Sequence, residues 1–140
     1  MTLALKNIKI HNDMSEETLC FSATLYWNNQ KVAIAENTGK GGCNRYHWYD
    51  PAVKTAVEHW ATQNTESKFE QLDSVVLHLI SDWEEQKRLK TMCKNKIVLR
   101  LKSNPTNFMC YQQAYNPELK NKLKQIHGND LIEIINERFL

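Results

Sequence analysis

Glycine and proline are scarce in this sequence, with four and three respectively among 140 residues. Such scarcity excludes collagen-like, low-complexity and linker-rich chains, and no internal repeat argues for a solenoid. No stretch approaches the roughly 18 apolar residues of a membrane span, and mean hydropathy is −0.60. Residues 1–20 carry Asp13, Glu16 and Glu17 and lack an apolar run, so no secretory signal is expected. The four cysteines, at 20, 43, 93 and 110, include no C-x-x-C pair. Without a secretory signal they read as reduced thiols, with Cys20 a small buried hydrophobe. A G-x-x-x-x-G-K-[ST] loop is missing, and G-x-G-x-x-G fails because Asn44 stands where its last glycine belongs. A soluble intracellular protein with no membrane partner is the expectation these absences leave.

What is present suits one compact α+β domain spanning residues 1–140. A 16.4 kDa chain buries roughly two-thirds of its unfolded surface and needs no metal or disulfide staple. Leu19, Phe21, Ala23, Leu25 and Trp27 recur with period two, which predicts a strand. Asn28-Asn29 supplies a turn suited to positive φ, and Val32 and Ile34 continue on a second strand. With Ile8 and Ile10 on an earlier strand, an antiparallel three-stranded meander is expected. Asp50-Pro51 predicts a capped helix start, followed by the apolar stripe Val53, Val57, Trp60 and Ala61. A longer helix is expected to run to Cys93, with Phe69, Leu72, Val76, Leu79, Ile80 and Trp83 facing inward. Ile97, Leu99 and Leu101 return to period two, with Arg100 and Lys102 on the opposite, more accessible face. Residues 108–115 are expected as its hairpin partner, joined through a turn at 103–107. Asn116-Pro117 predicts a third helix that Gly128 ends, and Leu131, Ile134, Ile135 and Phe139 predict a fourth.

The net charge of +2 conceals a segregation. Residues 51–86 hold two basic side chains against seven acidic ones, whereas 87–124 hold ten against the single acid Glu118. Lys87, Arg88, Lys90, Lys94, Lys96, Arg100 and Lys102 are interrupted by no acid. Such a block either focuses a potential on an anionic partner or forms a solvated face that complements a helix dipole.

The densest unusual stretch runs from Asn37 to Asp50. Gly39, Gly41 and Gly42 can point successive backbone N–H groups at one oxyanion. Lys40 and Arg45 add charge-assisted donors. Tyr46, His47, Trp48 and Tyr49 offer flat faces on which a base could stack, and Asn37, Thr38 and Asn44 could read a base edge. The competing account is a glycine-rich strand-to-helix connection whose rings cover the core edge. Cys43 and His47 are four apart, and Lys40 and Arg45 beside them could lower a thiol pKa, but a nucleophile–base pair needs a spatial arrangement that sequence spacing does not supply. A zinc site from Cys43, His47 and His59 lacks a recognised spacing, so no catalytic residue, metal or cofactor is expected.

The string Gly41-Gly42-Cys43-Asn44-Arg45-Tyr46-His47-Trp48, after Met14-Ser15-Glu16-Glu17-Thr18, resembles a family of small bacteriophage and prophage proteins. So does the later segment from Lys94 to Lys102, followed by Tyr115-Asn116-Pro117. The resemblance assigns no activity. It implies a short accessory protein acting in the cytoplasm of an infected bacterium, of a kind that binds and neutralises a host defence component.

Three functions follow in order of expectation. The first is non-catalytic capture of an anionic, base-containing ligand, such as a defence-signalling nucleotide. Its site would be Thr38, Gly39, Lys40, Gly41, Gly42, Asn44, Arg45, Tyr46, His47 and Trp48, with Arg100 and Lys102 as a second wall, in a homo-oligomer if the pocket lies between subunits. The second is an inhibitor that binds a host protein or nucleic-acid surface through residues 87–102. The third is an enzyme acting on a nucleotide.

Overall fold

The computed structural model describes residues 2–140, which form an α+β structure with two antiparallel sheets. The chain divides into two compact units, Met1–Asp82 and Trp83–Leu140.

In the first unit, β1 (Leu3–Ile10), β2 (Phe21–Trp27), β3 (Gln30–Asn37) and β4 (Arg45–Trp48) lie side by side in chain order. The period-two pattern has its expected effect: Phe21, Ala23, Leu25 and Trp27 are all buried. Asn28 and Asn29 both adopt positive φ, 50° and 67°, the geometry a two-residue hairpin needs. The meander has four strands rather than three, because Arg45–Trp48 pairs with β3 instead of remaining a loop. Ala35 faces Tyr46 and Ala33 faces Trp48 in that register. Small residues opposite the two rings leave them room to pack on the core, while Arg45 and His47 are exposed.

α1 (Pro51–Gln63) starts where the sequence predicts, with the Asp50 carboxylate accepting from the Ala52 amide. Val57 and Ala61 are buried, and Trp60 meets Trp27 edge to face at 5.9 Å. α2 (Gln71–Met92) opens against the same core through Leu72, Val75, Val76 and Ile80. Phe69, expected inward, is 82% exposed. The helix begins only after Glu70, whose φ of 47° breaks the helical continuation on which that expectation rested. Trp83, also expected inward, is exposed at the start of the second unit.

In the second unit, β5 (Ile97–Leu101) is the central strand of the order β6-β5-β7, with β6 spanning Asn104–Tyr111 and β7 spanning Leu131–Ile134. Ile97, Leu99 and Leu101 pack with Leu123 and Ile134, and Val98 packs on the other face with Leu89 and Ile135. As expected, Arg100 is half-buried and Lys102 exposed. The hairpin to β6 is tighter than the sequence suggests, because Leu101 already faces Asn104. Asp130 holds that turn: its carbonyl accepts from Lys102 N, and its carboxylate accepts from Ser103 N and Oγ.

α3 (Lys120–His127) follows the Asn116 cap and a short 3-10 turn, and it ends at Gly128, whose φ is +53°. The fourth helix expected over 131–139 does not form. Leu131–Ile134 pairs with β5, and Ile135–Phe139 is a 3-10 turn. Buried Asn136 fixes this ending. Its Oδ1 accepts from Val98 N at 2.8 Å, and its Nδ2 donates to the carbonyls of Lys96 and Cys93.

Candidate functional site

The segment from Asn37 to Tyr46 is organised around one buried side chain. Asn37 Oδ1 accepts from Thr18 Oγ1 at 2.7 Å and from Gly39 N at 2.9 Å. Its Nδ2 donates to the Gly42 carbonyl and to Asn44 Oδ1. Gly41 N donates to Thr18 Oγ1. Gly39, Gly41 and Gly42 have φ of 84°, 98° and 85°, the signs an anion nest requires. Two of their three amides are nevertheless already spent, Gly39 N on Asn37 and Gly41 N on Thr18. Glu17 also brings a carboxylate to Gly41, with Oε2 2.6 Å from where a Cβ would stand. Gly39 and Gly41 therefore serve close approach to Met14, Cys20 and Glu17, whereas Gly42 faces open space.

The polar chain continues from Asn44 into α2. Asn44 N donates to Asp73 Oδ2 at 2.9 Å, and Tyr46 Oη donates to Asp73 Oδ1 at 2.6 Å. Burial, and then the Asp73 hydrogen bond, push the Tyr46 phenol well above its ordinary value. The ring thus stays a neutral donor, and Asp73 is held in one orientation. Beside this pair opens a cleft of about 540 Å³. Cys43, Asn44 and Tyr46 form one side, Thr55, Glu58, His59 and Thr62 of α1 a second, and Glu70, Gln71, Leu72 and Asp73 the third.

Of the expected ligand residues, the structure brings Asn44 and Tyr46 to this cleft and leaves the others outside its lining. Thr38 and Lys40 are exposed, and Gly39 is buried. Arg45 and His47 are exposed on β4, where His47 Nε2 lies 2.9 Å from Glu36 Oε1. Trp48 stacks beside Tyr46 with centroids 5.9 Å apart. In the second unit, Arg100 lies over the Phe108 ring at 5.3 Å, and Lys102 sits in the Asp130-held turn.

The cleft residues unseen in the sequence are Thr55, Glu58, Thr62, Glu70, Gln71 and Asp73. Only the acid in the first turn of α2 carried a local signal, and helix-dipole complementarity accounts for it equally well.

The chain matches no family model, no curated protein and no solved structure. The likeness to small bacteriophage proteins rests on the quoted strings alone.

The cleft can accept hydrogen bonds through three carboxylates and read them through His59, Gln71 and two threonines. The residues that could hold a metal ion are Cys43, Glu70 and Asp73, whose donor atoms lie within 4.8 Å of one another. Cys43 and Glu70 are exposed, and no further feature of the described residues directs an ion there. His47, paired with Glu36, is not part of that set.

Proposed function

We propose that this protein is a non-catalytic binding protein that takes the base of a nucleotide-like ligand into the cleft beside β4. The observation that carries this reading is the Asp73 carboxylate, oriented by two donors inside a cleft of about 540 Å³, a volume in the range of small-molecule sites. An oriented carboxylate accepts from the exocyclic amino or ring N–H groups of a base, and its orientation cost is already met by Asn44 and Tyr46. Phosphates stay outside, because Glu58, Glu70 and Asp73 would repel them. Lys40 and Arg45 are the exposed cations of the adjoining segment. The resemblance to phage proteins supports the setting: capture of a defence-signalling nucleotide inside an infected bacterium.

Thermal-shift and calorimetric titration with nucleosides, linear nucleotides and cyclic nucleotides test the proposal. A nucleoside should keep most of the affinity of its nucleotide, within about tenfold, since the base carries recognition. Asp73→Asn should weaken binding by about ten- to a hundredfold, with the ligand-free Tm reporting separately on the fold. If no nucleoside or nucleotide raises Tm at about 1 mM, or if Asp73→Asn binds as well as the parent, the reading is wrong.

A second reading is favoured by the distribution of charge. Trp83–Leu140 holds eleven basic against six acidic side chains, and Met1–Asp82 holds seven against ten. On this reading the basic segment 87–102 docks a nucleic-acid or acidic host-protein surface.

A further inference from the structure

The cleft beside β4 presents an uneven set of hydrogen-bonding groups. Glu58, Glu70 and Asp73 line it, and no lysine or arginine does. Glu58 meets Lys54 only at 3.9 Å, and no cationic nitrogen among the described residues lies within 4.0 Å of the Glu70 or Asp73 carboxylate. Glu70 nevertheless brings a carboxylate oxygen within 4.8 Å of one on Asp73. An occupant of this cleft must therefore bring donors of its own.

Asp73 decides which arrangement of donors fits. An ionised carboxylate offers about four lone-pair positions, two on each oxygen. Asn44 N takes one at Oδ2 and Tyr46 Oη one at Oδ1, at 2.9 and 2.6 Å. Each oxygen keeps one acceptor position, so a half-buried group on the cleft wall offers two acceptors side by side. The common bases meet such a pair very differently. Guanine carries two adjacent donors on its Watson–Crick edge, N1–H and the N2 amine. Adenine and cytosine each set an amino group beside a ring nitrogen that accepts, which would face the second oxygen lone pair to lone pair. Uracil has a single N–H between two carbonyl oxygens.

We infer that the base this cleft takes is guanine, bound through its N1–H and N2 amine by the two oxygens of Asp73. The inference rests on the nucleotide-binding reading and makes Asp73 the residue that determines specificity. A bidentate pair of charge-assisted hydrogen bonds fixes both the position and the angle of the base. Gln71, on the same side of the cleft, carries an amide donor for O6. Any other base leaves a carboxylate oxygen facing an acceptor, in a site with few donors to turn to.

Calorimetric titration of the full chain with guanosine, inosine, adenosine, cytidine and uridine, in EDTA, tests the assignment. Guanosine should bind about a hundredfold more tightly than adenosine, which loses one hydrogen bond and gains a repulsion. Inosine lacks only the N2 amine and should bind about tenfold more weakly than guanosine. Asp73→Asn exchanges one acceptor for a donor. Its amide nitrogen should take the place of Oδ1, where the Tyr46 hydroxyl can turn and accept from it. The second N–H should then favour xanthosine, whose C2 carbonyl stands where guanosine has its amine. The ranking on the parent chain decides the question even if this variant fails to fold. Adenosine, cytidine, uridine or inosine binding as tightly as guanosine overturns the guanine assignment and leaves the nucleotide-binding reading standing. So does an Asp73→Asn variant that binds more weakly but still prefers guanosine to xanthosine. Failure of every nucleoside to bind overturns both. Binding that appears only when a divalent cation replaces EDTA also overturns the assignment, by making a metal ion the occupant of the cleft.

Discussion

Gly39 and Gly42 share a backbone conformation, with φ of +84° and +85°, but not surroundings. A Cβ at Gly39 would collide with the Met14 carbonyl oxygen and lie 2.9 Å from Cys20 Cβ. At Gly42 nothing lies within 4 Å. Gly42→Ala should therefore cost only the left-handed conformation, on the order of 1 kcal/mol. Gly39→Ala adds a backbone clash that no rotamer relieves, and should cost roughly 3 kcal/mol or more. Urea unfolding of the two variants checks the ranking, and equal losses would mean that the close approach is not what Gly39 supplies. Positive φ in this loop was legible in the sequence, because glycine concentrates there. The fate of its amides was not, because Thr18 and Asp73 reach them from distant positions. Asn37 and Asn136 were illegible for the same reason. A single asparagine looks the same in a sequence whether it is a surface group or the hub of buried hydrogen bonds.

β4 and β7 show where pattern reading fails at the scale of elements. Both have four residues, too few for a period to declare itself. Residues 131–139 carry apolar side chains at spacings that suit a helix, yet the vacant edge of β5 takes the first four as a strand. Long elements fared better, since the alternation on β2 and the middle of the α2 stripe, Leu72, Val76 and Ile80, repeat often enough to declare a period, while Phe69 and Trp83 at its ends were misplaced. The pair that closes the second unit has a pH signature. Hydrogen bonding to Arg138 holds the Glu133 carboxyl below its ordinary value, and Ser103 does the same for Asp130. A depressed folded-state value means stability that is present above the ordinary carboxylate pKa of about 4.3 and lost as pH falls through the lowered one. Glu133→Gln should have a lower Tm than the parent near neutral pH and a smaller further loss on acidification below about pH 4. Parallel Tm–pH curves for the two proteins would refute the assignment.

Across the whole molecule, the basic residues of Trp83–Leu140 are less available to a polyanion than their number suggests. Arg138 and Lys120 are committed to Glu133 and Glu137, Arg100 lies over Phe108, and Lys87 lies over Trp83. With Arg88, Lys90, Lys94, Lys96 and Lys102 left in the segment, the log–log salt slope on duplex DNA should be no steeper than about −4.5, against about −6 for seven neutralised phosphates. A steep slope abolished by charge reversal at Lys90, Lys94 and Arg100 would instead make the basic segment the functional surface. The central place of β5 also orders events in time. In the first unit every strand pairs with its neighbour in sequence, so its meander closes through local contacts as the chain is made. β5 finds β6 across a two-residue turn, but its other edge waits for β7, about thirty residues later. At cellular rates of elongation that is a delay of roughly two to six seconds, during which Ile-Val-Leu-Arg-Leu stands with one side open. The interval when this protein is most prone to aggregate is therefore set by the ribosome, and slowing translation across residues 102–130 should lower its soluble yield.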